Sequence, residues 1–213
     1  MTELKDRLTA IADTSRASFL ATHEAREVAL KLSREIIRNS ANSIRATHRG
    51  EFAQARAMLA EVGNIAAEVH AKVDPLPRVF YAGFVEDALK EYAEARATLA
   101  FAEGSELPSP EDIGVEAGPY LNGLAEAAGE LRRFILDSLR KDDFSRCEEL
   151  LDTMDEIYTI LVSMDFPEGV TNGLRRTTDQ TRGILERTRG DLTMALRQQR
   201  LESKLAEFQG KVP

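Results

Sequence analysis

The stretch KEYAEARATLAF, residues 90–101, sets Glu91 and Glu94 three residues apart, with Asp87 four residues before Glu91. On a helix these spacings place the acids on one face, where like charges repel by about 0.2–0.5 kcal/mol per pair. On a helical wheel over residues 78–103, Phe80, Phe84, Ala88, Ala95, Leu99 and Tyr81 form one apolar sector. Glu91 falls inside that sector, with Asp87 and Glu94 on its edge. A carboxylate among apolar side chains protonates, finds a cationic partner or binds a metal. The bland alternative for any single Glu-x-x-Glu is a solvated helix face.

A second acid pair lies in YLNGLAEAAGELRRF, residues 120–134, where Glu126 and Glu130 are four apart. Periodicity puts them on the polar side of a stripe made by Leu124, Leu131 and Ile135, and so predicts exposure. The small residues nearby are more informative. Gly inside a helix costs up to about 1 kcal/mol against Ala, so Gly123 and Gly129, with Ala127 between them, need a reason. They admit either a closely packed neighbouring helix or a ligand.

If two such helices face each other, three or four carboxylates converge into a hard oxygen site. That chemistry suits Mg²⁺ or Mn²⁺ rather than zinc, and serves phosphodiester or pyrophosphate hydrolysis. The three histidines, His23, His48 and His70, have no Glu three residues before them, which excludes the Glu-x-x-His pattern of di-iron bundles and a His-rich zinc site. The sequence has neither a GxxxxGK[ST] phosphate loop nor a GxGxxG turn. The lone Cys147 shows no nucleophile context and reads as a core thiol.

The elements that must position these acids are helices. Between the punctuating segments VDPLPR (73–78), EGSELPSPEDIGVEAGP (103–119), RKDD (140–143) and DFPEGV (165–170), nearly everything reads as helix, and no stretch alternates like a strand. Ser109-Pro110-Glu111-Asp112 is a helix start. We expect six or seven helices. The first runs from near Leu4 to His48 and the last from about Val170 to Arg200 or beyond. The 213 residues form one domain, with a polar tail over 201–213 that frays. No apolar run reaches the roughly 20 residues of a membrane span. A single cysteine permits no intrachain disulfide, which fits a reducing cytoplasm.

The formal net charge of −8 argues against nucleic acid, but its distribution does not. Residues 16–50 carry seven bases against three acids, residues 171–200 seven arginines against three acids, and residues 86–168 carry 21 acids against seven bases. A basic beginning and end flank an acidic middle, and local fields follow that pattern rather than the total.

Four segments in order resemble the translin and translin-associated factor X family: HEAREVALKLSREIIRNSANSIRATHRG (23–50), KEYAEA (90–95), YLNGLAEAAGELRRF (120–134) and GLRRTTDQTRGILE (173–186). The resemblance spans nearly the whole chain and is to an archaeal-type, factor X-like member. It implies a single-domain, all-α bundle of about seven helices that assembles into a hollow homo-oligomer, an octamer in this family, handling single-stranded RNA or DNA. Factor X-like members carry acids on both motif helices and act as Mg²⁺-dependent endoribonucleases; translin itself lacks part of that set and binds without cutting. Here Glu91, Glu94, Glu126 and Glu130 supply all four acids, as in the catalytic branch. One departure is Glu126, where factor X-like proteins usually have Asp. A shifted match through Glu86 is rejected on wheel position.

The expectation is therefore an endoribonuclease. Glu91, Glu94, Glu126 and Glu130 hold one or two Mg²⁺ (or Mn²⁺) ions that activate water for attack on a phosphodiester, while Arg34, Arg38, Arg45, His48, Arg132 and Arg133 hold the strand. A cavity inside the oligomer would admit single strands more readily than duplexes. The competing expectations are a non-catalytic single-strand-binding oligomer, an all-α nucleotide pyrophosphohydrolase, and a purely structural bundle.

Overall fold

The computed structural model describes residues 2–73 and 76–209. Six long helices carry the fold: α1 (Thr2–His48), α2 (Phe52–Val73), α4 (Gly83–Glu103), α6 (Ala117–Leu139), α7 (Cys147–Val162) and α9 (Leu174–Gln209). Three single turns, α3 (Pro77–Phe80), α5 (Pro110–Ile113) and α8 (Glu168–Thr171), sit in the connections. No strand occurs among the described residues, and no helix is long and apolar enough to cross a membrane.

The connections end helices by ordinary chemistry. Ser109 accepts from the Asp112 amide while Asp112 reaches back to the Ser109 amide, so the expected helix start is a full capping box, although it opens only one turn. The expected last helix is broken. Asn172 and Gly173 both take positive φ, 46° and 86°, and separate α8 from α9. At the other end α9 continues through Gln209; residues 210–213 lie outside the described residues.

Packing runs in a chain of neighbours: α1 lies on α2 and α4, α4 on α6, α6 on α7 and α9, and α7 on α9. Helix α4 is thus the centre, touched by α1, α2 and α6, and its Val85, Ala88, Leu89, Tyr92, Ala93, Ala95, Ala97 and Leu99 are all buried. Cys147 is buried at the start of α7, as a core thiol, and burial pushes its pKa up. Along α1 the first buried residue is Ala29, so the N-terminal half projects past the bundle, leaving Leu4, Leu8, Ile11 and Phe19 exposed.

A candidate carboxylate metal centre between two helices

The acid pairs meet because α4 and α6 pack closely, and Gly123 is why they can. A Cβ at Gly123 would stand 2.5 Å from the Lys90 carbonyl oxygen, 2.8 Å from the Glu94 amide nitrogen and 2.9 Å from Ala93 Cβ. No other residue fits there without the helices separating. Gly129 does not share this role, since its nearest neighbour is Ile184 Cδ1 of α9 at 3.9 Å.

Across that contact, carboxylate oxygens of Glu91 and Glu94 from α4 and Glu126 from α6 lie within 4.8 Å of one another. Glu94 is the buried member, at 8% exposure, whereas Glu91 and Glu126 are half-buried. This reverses the wheel, which put Glu91 inward and Glu94 on the edge. The wheel assumes one buried face, but α4 is packed by α1, α2 and α6, so Glu94 is covered although it lies outside the apolar sector. Similarly, Glu126 and Glu130 do not sit free on an open polar face: Lys90 of α4 meets Glu126, and His48 of α1 meets Glu130.

The electrostatics of the trio are unusual for acids. Burial, reinforced by the charges of Glu91, Glu126 and Glu130, pushes the Glu94 pKa up to about 8, with Lys90 opposing. Among the described residues the Glu94 carboxyl has no hydrogen-bond or ion-pair partner. Glu91 is also raised, by burial first and by Glu126, against the pull of Lys90. Lys90 spans the other two acids, with Nζ donating to Glu126 Oε1 at 2.8 Å and lying 3.7 Å from Glu91 Oε1. Burial draws Lys90 down, but the bond to Glu126 and the charges of Glu126, Glu91 and Asp87 outweigh it, so its pKa ends above the usual lysine value.

Glu130 stands beside the trio rather than within it. Its carboxylate meets His48 Nε2, and Arg133 approaches at 3.9 Å. His48, at 4% side-chain exposure, stacks on Phe134 with ring centroids 4.3 Å apart, and its Nδ1 has no partner. His48 therefore sits at the end of α1, held between Phe134 and Glu130. Arg132 is similarly engaged, bridging α6 to α9 through Asp191 at 2.8 Å and Thr188 Oγ1 at 3.1 Å. Arg34, Arg38, Arg45 and Arg133 are exposed on α1 and α6. Glu86, set aside on wheel position, accepts from Asn172 Nδ2 at 3.0 Å and is likewise not in the trio.

The residue missed in the sequence is Lys90. Its place beside the Glu-x-x-Glu was visible, but the partner that fixes it, Glu126, is 36 residues away. The donor set fits a hard divalent cation: every ligand atom is a carboxylate oxygen, and one carboxyl is buried without a partner. Glu91, Glu94 and Glu126 would hold such an ion, with Glu130 adjacent.

An all-helical bundle that buries an oxygen-only acid cluster between two central helices is the class this geometry defines. The chain belongs to the Translin family, whose model matches residues 6–187. It is 30% identical over 198 residues to an uncharacterised protein of Methanocaldococcus jannaschii, covering 90% of this chain and 86% of that one. Among solved structures it is similar to AfC3PO, with TM-score 0.80 and 33% identity over 86% of this chain and 96% of that one. A complex of AfC3PO with duplex RNA matches at TM-score 0.80 and 34% identity, over 86% of this chain and 95% of that one. Apo-NeC3PO shares the fold at TM-score 0.78 and 21% identity, over 86% of this chain and 96% of that one.

Proposed function

We propose that this chain is a Mg²⁺-dependent endoribonuclease (Mn²⁺ substituting) that acts on single-stranded RNA, also binds single-stranded DNA, and works as a homo-oligomer. The observation that carries the reading is the unpartnered carboxyl of the buried residue Glu94, within reach of Glu91 and Glu126. Similarity to a protein whose structure holds duplex RNA supports nucleic acid as the ligand. Contacts to phosphates carry no base identity, and a backbone-holding surface can meet either strand form.

The acids fix the place of reaction. A bound divalent ion supplies charge neutralisation at the phosphate and a lowered pKa for water. Glu94, whose burial disfavours a lone negative charge, would be ionised when a divalent cation is held beside it. Glu130, kept in place by His48 and next to the trio, is oriented to accept a proton from the attacking water. Exposed Arg34, Arg38 and Arg45 on α1, with Arg133 on α6, attract the backbone.

The second reading, a binder that does not cut, is favoured by Lys90, whose ammonium already bridges Glu91 and Glu126. Labelled single-stranded RNA, duplex RNA and single-stranded DNA, each incubated with Mg²⁺ and then with EDTA, separate the two. We expect single-stranded RNA to be cut only with Mg²⁺, and Glu91→Gln with Glu126→Gln to lower the rate at least 100-fold while binding persists. Binding without cutting in every arm would favour the binder, and pyrophosphate release from a nucleoside triphosphate would favour the pyrophosphohydrolase.

A further inference from the structure

Beside the carboxylate trio, between α4, α6 and the start of α9, lies a cavity of about 280 Å³. Lys90 and Glu126 form one wall and Arg176, Thr177 and Gln180 of α9 the other. Nothing in the carboxylate chemistry requires Arg176. It is exposed, and among the described residues no acid comes within ion-pair distance of it. Its neighbour Arg175 faces a different cavity. The wall that carries Arg176 is firmly placed: Asn122, 5% exposed, donates to the carbonyls of Thr171 and Asn172 and accepts from Thr177 Oγ1 at 2.7 Å. The backbone on either side of Arg176 is thus anchored, beside a cavity lined by Lys90 and Glu126.

We propose that this cavity is a phosphate subsite, taking the phosphodiester next to the one that is cut, with Arg176 as its anchor and Lys90 as its second cation. This rests on the nuclease reading and adds to it a substrate contact. Glu86 and Asp87 also line the cavity, and without a divalent ion they and Glu126 outweigh the two bases. With a divalent ion held by Glu91, Glu94 and Glu126, the Glu126 carboxylate would be engaged and Lys90 Nζ freed, so that two bases would stand against Glu86 and Asp87 around the cavity. Guanidinium and ammonium on opposite walls then meet one phosphate.

The test is binding of a fluorescent single-stranded RNA hexamer by the full chain, read by anisotropy in Ca²⁺ and in EDTA over a range of salt. Arg176→Ala should weaken binding about tenfold in Ca²⁺, as for one charge-assisted hydrogen bond, and flatten the salt dependence by about one phosphate contact. Lys90→Gln should weaken it in Ca²⁺ and leave it unchanged in EDTA, where Lys90 is committed to Glu126. Arg175→Ala, the control, should bind as the native chain does. Native-like binding by Arg176→Ala or Lys90→Gln in Ca²⁺, or an equal loss in Arg175→Ala, overturns the subsite and leaves the nuclease reading standing. A native chain that binds no hexamer in either condition removes the nuclease reading itself.

Discussion

Glu94 is the residue on which the proposed chemistry turns. Its raised pKa means that the folded chain keeps a proton there, between the ordinary value of 4.5 and about 8, that the unfolded chain has already released. The folded state therefore binds more protons over that window. Its advantage is complete below about 4.5 and is lost as pH rises towards 8. In EDTA the melting temperature should fall as pH is raised from 5 to 8, by roughly 2–4 °C for each kcal/mol lost in a chain of this size. Glu94→Gln, which stays neutral, should flatten that slope, and Mg²⁺ should raise the native melting temperature more at pH 8 than at pH 5. An equal pH slope in Glu94→Gln would assign the effect to other groups.

At the scale of elements, the approach of α6 to α4 sets the site, and one glycine sets the approach. Gly123→Ala forces a methyl against the α4 backbone and should cost about 1–3 kcal/mol in chemical denaturation, with weaker divalent-ion binding as the acids move apart. Gly129→Ala has room and a helical backbone, so it should be neutral or stabilise by up to about 1 kcal/mol. Equal effects at the two positions would contradict this account of the packing. The sequence showed that both glycines needed a reason, but not that only Gly123 lies under another helix. The same boundary recurs elsewhere. The long helices and the Ser109 cap were legible because they depend on neighbours in the chain, whereas the break at Asn172 and Gly173 inside the expected last helix was missed. The inward turn of Glu94, the pairing of Glu126 with Lys90 and the capture of Glu130 by His48 were not legible, because a wheel assumes one buried face and sees no partner on another helix, while α4 is packed by α1, α2 and α6.

For the whole molecule, α1 poses the main question. Its 47 residues extend about 70 Å, and burial begins only at Ala29. Leu4, Leu8 and Ile11 recur at four- and three-residue spacing along its exposed half, and Leu201, Leu205 and Phe208 do so at the far end of α9. A helix with an unpaired apolar seam is a surface for a second copy in the proposed assembly. Leu8→Glu with Ile11→Glu should therefore lower the mass measured by light scattering at least twofold while leaving the helical signal of the bundle. An unchanged mass would place the assembly contacts elsewhere.

The most direct measurement of the central claim is a crystal of the chain soaked in Mn²⁺, with anomalous diffraction recorded at the manganese edge. The account predicts a peak bounded by Glu91, Glu94 and Glu126 that disappears in Glu94→Gln crystals. A native crystal with no peak at those carboxylates, from protein that still cuts RNA, would contradict it.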